Sequence, residues 1–508
     1  MPKAIRQLID SLTMYKLLLY YLLALIGVAA ALSAFGVLGY NPLYIVVSAG
    51  ILVFACWFIN GIFSAIFDAP TNTESSIITG LILALIITPV PTMTNYGLLF
   101  ILAAAGLAMA SKYLLTIRRK HLFNPAAIAV VLTALGPHQA ASWWIGTAIM
   151  LPFVVAGGLL LAAKIQRMAM VNSFFAAATV ATIVYSVVGH TSVLTSLHSL
   201  LLTSPLFFLG YVMLTEPLTS PPTRATQNVY AVIVGLLLPP QAHILSLYSS
   251  PELALIVGNL FAYLVSPKTK LFPILKDKYL VAAGTVDFVF DPGTKLTYRP
   301  GQYMEWTLPH EKVDLRGNRR YFTLASSPTE RRMRIGVKFY EDGSSYKKAL
   351  LDLDVSTPIV AAQVAGDFVM PRDQKEKLAF IAGGIGITPF RSMVKYLIDT
   401  DEHRSISLLY SVRTTKDIAY GPLFEEARGK IGIQTTYVLT SETPHEESPA
   451  MRRGPITAEM IRAAIPDYRE RTFYLSGTHG MVIAIHEMLN DLGVPGSRIK
   501  TDFFPGYA

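Results

Sequence analysis

The chain has 508 residues, enough for two or three domains, and a net charge of +9 that is spread too evenly for a nucleic-acid-binding patch. Its single cysteine, Cys56, excludes a disulfide framework and an iron–sulfur cluster held by four thiolates of this chain. Charge density changes near Pro267: 15 charged side chains lie in residues 1–267 and 62 lie after them. We therefore predict a membrane-embedded half followed by a water-soluble half.

The apolar half contains ten segments that we predict to be membrane-spanning helices, although several are shorter than the roughly 20 residues needed to cross the hydrocarbon layer. If the N-terminus is cytoplasmic, every basic residue of this half falls on the cytoplasmic side, in agreement with the positive-inside rule. The sequence thus predicts a multi-pass protein of the inner or plasma membrane, with both termini in the cytoplasm. The predicted spans are 17–39, 43–67, 76–89, 95–114, 124–136, 142–163, 169–188, 198–214, 228–240 and 251–266.

Two predicted spans are short and end in clusters of proline, at residues 88–92 and 215–223. They are the third and the eighth span, so they occupy matching places in two sets of five, and an odd repeat unit inverts the second set. Broken helices at such places bind ligands, because their free backbone groups must line a site. The alternative is that proline only ends each helix at the membrane surface. Glu216, beside the second break, is a candidate functional residue, or it caps a helix or pairs with Arg224.

Residues 121–126 and 215–223 resemble the signatures of the D subunit of Rnf electron-transport complexes and the B subunit of sodium-pumping NADH:quinone reductases. This resemblance covers most of residues 15–267 and implies ten spans, an inverted five-helix repeat related to urea channels, and flavin in the membrane. The segment to which that family attaches FMN covalently has no counterpart in the loop 136–142. The implied membrane cofactor is therefore a non-covalent flavin, FMN or riboflavin, or a quinone. The resemblance assigns to it Asn124, Glu216, Thr219, Ser220 and Thr223.

After a short basic linker, residues 268–279, the pattern changes to short alternating runs separated by turn residues. This pattern is typical of an antiparallel β-barrel, here residues 280–374. From Leu378 the order becomes strand, glycine-rich turn and helix, and strands of the same kind start again near 405 and 472. Alternating strands and helices predict a doubly wound α/β domain with a parallel sheet, residues 375–508. The predicted fold class is thus multidomain: an all-α membrane domain, a β-barrel and an α/β domain.

The segment 319–325 ends a predicted barrel strand and carries side chains suited to a flavin. A flavin requires a cation for its pyrophosphate, an aromatic face for its ring and a small hydroxyl near its reactive nitrogen. Arg320, Phe322 and Thr323 supply these groups. Alternation places Arg320 and Phe322 on one face of the strand and Thr323 on the other, unless the strand end twists. An ordinary amphipathic strand would have the same pattern.

Three further turns are candidates for contact with a dinucleotide. Residues 343–345 precede a helical pattern and either offer N–H groups to a phosphate or cap the helix. The turn 383–389 lies between a strand and a helix, and its glycines permit close approach of the backbone to a cofactor. The segment 473–481 ends another strand, so it faces the same ligand at the crevice beyond the strand ends.

Taken in order, these segments resemble the ferredoxin–NADP reductase superfamily over residues 275–508. The resemblance implies a barrel that binds FAD and an α/β domain that binds NAD(P)H, with Thr323, Thr388 and Ser476 nearest the reacting atoms. Ser476 and Thr478 replace a cysteine and a proline of that family. The sequence leaves NADH and NADPH open. The cofactor-binding residues implied are Arg320, Tyr321, Phe322 and Thr323 for the flavin; Gly343, Ser344 and Ser345 for a second phosphate contact; Gly383, Gly384, Gly386, Thr388, Pro389, Gly477 and Met481 for the nicotinamide side; and Ser411 and Arg413 for the adenosine phosphates.

These features predict a membrane-bound NAD(P)H-dependent flavin oxidoreductase. A cytoplasmic head would pass hydride from NAD(P)H to FAD, and single electrons would then reach a flavin or quinone in the membrane domain and a quinone or extracytoplasmic flavoprotein beyond it. The alternatives are a redox-gated transporter or channel, a simple membrane-anchored reductase and a haem-type transmembrane reductase. The last requires paired axial histidines inside spans, and the histidines of the apolar half lie near span ends. No metal site is predicted.

Overall fold

The computed structural model describes residues 12–67, 73–90, 95–117, 120–136, 140–244, 247–266, 270–314, 316–442 and 450–504. The chain divides into two compact units, residues 1–269 and 270–508, which are described separately below. Parts of the predicted features lie outside the described residues, namely the last prolines of the first break, residues 137–139 of the loop 136–142 and the basic residues Arg118 and Arg119.

The first unit, here called the apolar unit, is helical. Four of its helices are long and apolar enough to cross a membrane, or five if one pair bent by 55° forms a single span. The ten spans and the inverted repeat stay a prediction. The helices are α1 (Met14–Ala34), α2 (Pro42–Ile66), α3 (Thr73–Ile86), α4 (Asn95–Leu114), α5 (Pro125–Leu135), α6 (Leu151–Lys164), α7 (Met168–Val188), α8 (Val193–Leu202), α9 (Leu206–Phe208), α10 (Arg224–Leu237) and α11 (Pro251–Val265), with short strand pairs β1 (Thr116–Ile117) with β2 (Lys120–His121) and β3 (His243–Ile244) with β4 (Leu247–Tyr248).

Small residues let these helices approach closely. A Cβ atom on Gly80 of α3 would lie 2.8 Å from the Cα of Val53 on α2. A Cβ atom on Gly235 of α10 would lie 2.6 Å from the carbonyl oxygen of Phe174 on α7. Such contacts are typical of helices that pack inside a bilayer, where small residues allow van der Waals contact between backbones.

Both predicted helix breaks coincide with irregular backbone. Helix α3 ends at Ile86, whose carbonyl oxygen accepts hydrogen bonds from the N–H groups of Ser142 and Trp143, at 3.0 and 2.9 Å. These bonds satisfy the end of a helix that would otherwise leave carbonyls unpaired. They also explain a correction: the predicted span 142–163 becomes helical only at Leu151. At the second break, residues 215–223 form turns and bends rather than helix, directly after a π-helical turn, Leu209–Met213. The 55° bend between α8 and α9 lies earlier, at residues 203–205, inside the predicted span 198–214.

The second unit, here called the head, begins with two antiparallel three-stranded sheets that enclose a core containing Trp306, Phe288 and Phe290. Strand β5 starts at Ile274, so residues 274–279, half of the segment predicted as a linker, belong to this barrel, because their alternation continues the sheet. The elements are β5 (Ile274–Ala282), β6 (Thr285–Asp291), β7 (Tyr303–Thr307), β8 (Arg319–Thr323), β9 (Met333–Lys338), α12 (Ser345–Asp352) and β10 (Val360–Ala365), in the orders β10-β7-β8 and β5-β6-β9.

The rest of the head is a parallel sheet in the order β14-β13-β12-β11-β15-β16, with a separate apolar core on each face. The prediction of a doubly wound α/β domain is therefore confirmed. The chain order reverses between β11 and β15, the place where such sheets bind ligands. The elements are β11 (Leu378–Gly383), α13 (Thr388–Asp399), β12 (Ile406–Val412), α14 (Gly421–Ile431), β13 (Gln434–Leu439), β14 (Met451–Arg453), α15 (Ala458–Ala464), β15 (Thr472–Thr478), α16 (His479–Asp491) and β16 (Ile499–Phe504).

Candidate functional site

The glycine turn after β11 lies against the end of β15, where the chain order reverses. A Cβ atom on Gly386 would lie 2.3 Å from the carbonyl oxygen of Ser476. A Cβ atom on Gly383 would lie 2.1 Å from the Sδ of Met481 and 3.7 Å from the Cα of Gly477. The structure thus brings together five residues that the sequence placed on the nicotinamide side, and at position 386, where the new atom would meet backbone, only glycine fits.

The same turn carries features suited to a polar ligand. Gly384 has a φ of +52°, in the left-handed region that favours glycine. Thr388 and Pro389 open helix α13, and the Thr388 hydroxyl donates to the carbonyl of Ile385 at 3.1 Å. The hydroxyl of Ser476 is buried without a hydrogen-bond partner among the residues that the structure describes. Because a buried unsatisfied hydroxyl is costly, a polar ligand such as a nicotinamide carboxamide fits beside it.

In the barrel, the predicted flavin residues divide between the two faces of β8. Arg320 is buried and its guanidinium lies 5.0 Å from the ring centre of Tyr346, and the Phe322 ring lies 6.0 Å from the same ring. Tyr321 points to the other face, where its hydroxyl donates to Glu305 at 2.7 Å. Thr323 is buried at the end of the strand. Arg320 and Phe322 are therefore brought together as alternation predicted, and Tyr321 is not brought to them.

The predicted phosphate-binding turn precedes α12, and a carboxylate already occupies it. Ser344 caps the helix, and the N–H of Ser345 donates to Oδ2 of Asp314 at 2.9 Å. Burial opposes ionisation of Asp314, but the N–H groups of Ser345 and Arg316 outweigh it and lower the pKa of this carboxyl below its usual value. Gly343 is buried beside them. Asp314 could not be identified from the sequence, because it lies about 30 residues away along the chain.

Positive charge nevertheless collects around this turn. Lys347 lies in the first turn of α12, and burial together with the charges of Arg320 and Arg316 lowers its pKa to about 8. Arg316 pairs with Asp314 at 2.9 Å, and the charges of Arg316 and Arg320 both act on Lys347. Like charges gathered in this way repel one another unless an anion lies between them. The donor set therefore fits the pyrophosphate of a dinucleotide such as FAD, with Arg320, Arg316 and Lys347 as the residues that would hold it.

Helix α13 also binds the barrel segment that follows the predicted flavin strand. Arg391 donates to the carbonyl of Ala325 at 2.9 Å and to Oε1 of Glu330 at 3.0 Å. The hydroxyl of Ser392 donates to the carbonyl of Ser326. The glycine turn and the loop after the flavin strand are therefore attached to one helix. The sequence analysis missed these contacts, because Arg391 lies in an ordinary amphipathic helix pattern.

A second contact between the barrel and the α/β domain is the hydrogen bond of Tyr420 to Asp287, whose ion pair with Arg334 lies within the barrel. Asp287 is fully buried on β6 and accepts from Arg334 of β9 at 2.6 Å and from the hydroxyl of Tyr420 at 3.0 Å. Burial raises the pKa of Asp287 even though Arg334 lies beside it. Gly336 of β9 leaves space for Thr388, because a Cβ atom on Gly336 would lie 2.8 Å from the Cγ2 of Thr388.

The predicted adenosine-side residues lie at the end of β12. Ser411 pairs in register with Gly383 of β11, and Arg413 follows the strand with an exposed side chain. The Arg413 guanidinium lies 3.7 Å from Oδ1 of Asp417. Both residues thus lie on the same sheet edge as the glycine turn, one strand further from β15.

In the apolar unit, the residues assigned to a membrane cofactor form a buried hydrogen-bonded cluster. The side-chain amide of Asn124 donates to Oε2 of Glu216 at 2.8 Å, and the hydroxyl of Thr219 donates to the same oxygen at 3.0 Å. Asn259 of α11 accepts from the backbone N–H of Asn124 at 2.9 Å and donates to the carbonyl of Thr219 at 3.3 Å. Asn259 was missed by the sequence analysis, although a lone amide inside an apolar helix is a recognisable signal.

Arg167 extends this cluster. Its guanidinium donates to the carbonyl of Thr215 at 2.9 Å and to the hydroxyl of Ser220. Thr223 lies at the other end of the segment and caps α10 by accepting from the N–H of Thr226. Of the five predicted residues, Asn124, Glu216 and Thr219 are in direct contact, Ser220 contacts Arg167, and Thr223 has a capping role.

The comparisons with known proteins concern the head. The family model described as an oxidoreductase NAD-binding domain matches residues 380–487. The chain is 26% identical over 222 residues to the glycine betaine monooxygenase reductase subunit of Chromohalobacter salexigens, which covers 43% of this chain and 60% of that protein. It is 29% identical over 224 residues to a flavohemoprotein of Bacillus cereus, which covers 42% of this chain and 55% of that protein. The chain thus spans little more than half the length of these relatives.

Solved structures similar to the head include the cytochrome P450 reductase GcoB of Amycolatopsis, with a TM-score of 0.41, 22% identity and coverage of 47% of this chain and 71% of that one. Another is the FAD/NAD-binding domain of a nitric oxide dioxygenase of Vibrio cholerae, with a TM-score of 0.42, 22% identity and coverage of 46% and 98%.

The C-terminal half of the chain therefore contains an oxidoreductase NAD-binding domain over residues 380–487 and is similar to flavin-dependent reductases of the oxidoreductase class. The predictions of this fold and enzyme class are confirmed. The apolar unit contains four to five helices fit to span a membrane, and its resemblance to the Rnf and sodium-pump subunits stays a prediction.

Proposed function

We propose that the protein is a membrane-bound NAD(P)H-dependent flavin reductase whose apolar unit receives electrons from the head. The observation that carries this proposal is the contact of the glycine turn 383–386 with Ser476 and Met481. The helix that follows this turn, α13, also holds the loop after the predicted flavin strand. When bound, FAD would supply the conversion between a two-electron donor and one-electron acceptors.

The residues of the head would do three things. Arg320 and Lys347 would neutralise the flavin pyrophosphate, Thr323 would lie near the reactive edge of the ring, and Ser476 would orient the nicotinamide through its unsatisfied hydroxyl. The backbone contact of Gly386 with Ser476 would keep water and side chains out of the space between the two rings.

In the apolar unit, the cluster around Glu216 is the proposed place for a second redox group, a non-covalent flavin or a quinone. Its support is the burial of Asn124, Thr219 and Asn259 at a break in the helices. Electrons would pass from there to a quinone or to an extracytoplasmic flavoprotein. The known partners of the relatives favour a second candidate, in which the head serves a separate oxygenase, because one relative is the reductase subunit of a monooxygenase.

The test is to purify the full chain from membranes, extract its flavins and titrate it with NADH and NADPH without oxygen. Two flavins per chain, both bleached by the dinucleotide, are expected. One flavin with reduction of an added quinone would support a quinone reductase without a second flavin. One flavin with no reduction of quinone would favour a separate protein acceptor. A chain that stays in the soluble fraction would contradict the membrane location.

A further inference from the structure

Beyond the end of β13 the chain turns along β12 and brings a carboxylate to the turn after β12. The N–H of Ser441 donates to the carbonyl of Arg413 at 2.9 Å, so the two strand extensions stay paired. The next residue, Glu442, accepts from the N–H of Thr415 at 2.6 Å and from its hydroxyl at 3.1 Å. Glu442 therefore accepts from both donors of Thr415, its N–H and its hydroxyl.

A second carboxylate lies in the same turn. Asp417 accepts from the N–H and the hydroxyl of Thr414, at 3.2 and 3.0 Å, and forms a 2.6 Å ion pair with Lys338. Burial opposes ionisation of Asp417, but its bonds with Lys338 and Thr414 lower its pKa, so it is charged at neutral pH. Arg413 lies 3.7 Å from Asp417 and Lys416 is exposed in the same turn, so cations balance Asp417, whereas Glu442 is held by the neutral donors of Thr415.

This turn lies where the adenosine half of a dinucleotide would bind. Ligands of doubly wound sheets bind beyond the carboxyl ends of the strands at the point where strand order reverses, here between β11 and β15. With the nicotinamide side at that point, the far half of the dinucleotide extends over the ends of β12 and β13. An acid in this region binds the ribose 2′-hydroxyl of NADH, whereas an arginine accommodates the 2′-phosphate of NADPH.

We propose that the head selects NADH over NADPH and that Glu442 is the residue that determines this choice. The inference rests on the proposed function. A ribose 2′-hydroxyl would donate to the Glu442 carboxylate, whereas a 2′-phosphate would meet the charges of Glu442 and Asp417 and find the N–H of Thr415 already bonded. Like charges brought together in this way reject the wrong ligand.

Two other arginines could bind the 2′-phosphate of NADPH and would give the opposite coenzyme preference. Arg452 and Arg453 lie on β14, with Arg453 opposite Leu439 of β13, so they are on the far side of β13 from Arg413. If they held the 2′-phosphate, NADPH would be the better substrate and its use would depend on Arg453. The two arrangements therefore predict opposite coenzyme preferences.

The test compares kcat/KM for NADH and NADPH in the full-length, flavin-loaded protein, with ferricyanide as acceptor. We expect NADH to be preferred by at least about tenfold, and Glu442→Gln to raise kcat/KM for NADPH by about tenfold with a small effect on NADH. Glutamine keeps an oxygen for the N–H of Thr415 and removes only the charge. The matched control is Glu470→Gln, since Glu470 pairs with Lys377 at 2.7 Å before the start of β11, at the opposite end of the sheet.

A wild-type preference for NADPH, or a change in the NADH/NADPH ratio no larger for Glu442→Gln than for Glu470→Gln, would overturn the inference. So would loss of NADPH use in Arg453→Gln. A flavin that neither dinucleotide bleaches would overturn the proposed function itself, and the inference with it.

Discussion

The head and the apolar unit bury polar groups by different means. In the head, the ion pair of Arg391 with Glu330 joins the two domains, and the ion pair of Arg334 with the buried Asp287 lies within the barrel. In the apolar unit the Glu216 carboxylate accepts from the side chains of Asn124 and Thr219, and Arg167 donates to the carbonyl of Thr215 and to the hydroxyl of Ser220. Water can reach the rim of the head and solvate its charges; in the bilayer in which we propose that the apolar unit lies, hydrogen bonds to amides and hydroxyls would be the less costly choice.

The largest effect is expected from removing one partner of a buried pair in the head. Arg391→Leu leaves Glu330 without its main cation and frees the carbonyl of Ala325. We expect a loss of about 3–5 kcal/mol in the free energy of unfolding, measured by denaturation of the full chain with flavin fluorescence as the signal. Arg428→Leu, which removes an exposed pair with Glu425, is the control and should cost less than about 1 kcal/mol. Equal losses would show that the buried pair has no special weight.

The close contact of Gly386 with the backbone of Ser476 sharpens the comparison, because it depends on neither an ion pair nor a side-chain amide. In Gly386→Ala the new Cβ atom would lie 2.3 Å from the carbonyl of Ser476, so the turn must move. We expect flavin reduction by NADH to slow by about 100-fold in stopped-flow measurements, since misplacement of about 1 Å has this effect. Gly429→Ala on α14, with open space around its Cβ position, is the control. An unchanged rate in Gly386→Ala would separate this turn from the reaction.

In the apolar unit the matching test uses two helix caps of the same kind. Asn124 and Asn41 each cap a helix that has proline in its first turn, but only Asn124 also bonds to Glu216 and Asn259. Asn124→Ala should lower the free energy of unfolding of the detergent-solubilised chain, measured by thermal denaturation, by about 1–2 kcal/mol, and Asn41→Ala should lower it by about 0.5–1 kcal/mol. The difference between the two losses measures the contribution of the bonds from Asn124 to Glu216 and Asn259. Equal losses would mean that Asn124 contributes nothing beyond its cap.

The smallest expected effect concerns pH and the cations of the barrel. Lys347 has a pKa of about 8 without a bound anion, and a pyrophosphate would raise it. Binding of FAD should then be constant below pH 8 and weaken above it, by up to about tenfold between pH 7 and pH 9, because binding requires the protonated amine. Fluorescence titration of the flavin-free protein measures this. Lys347→Gln should flatten the profile and Lys348→Gln, one residue further along α12, should leave it unchanged; a flat wild-type profile would contradict the role of Lys347.

Much of the head could be predicted from sequence, because its signals are local. Glycine at 383 and 386 and alternation over 319–323 follow from backbone geometry within a few residues. Asp314 beside Ser345 and Arg391 beside Ala325 could not be predicted, because they join segments about 30 and 66 residues apart. In the apolar unit, composition located the helices but not their ends: the non-helical start of the span 142–163 depends on hydrogen bonds to Ile86, which no local pattern records.

Helix α13 has a consequence for how the head could evolve. Its first residue, Thr388, lies against Gly336 of the barrel, and one turn later Arg391 and Ser392 hold the loop after the flavin strand. The glycine turn and the loop after the predicted flavin strand are thus attached to the chain within about one helical turn, about 5.4 Å, of each other. Substitutions elsewhere in the head can therefore change ligand or partner contacts while these two segments keep their spacing.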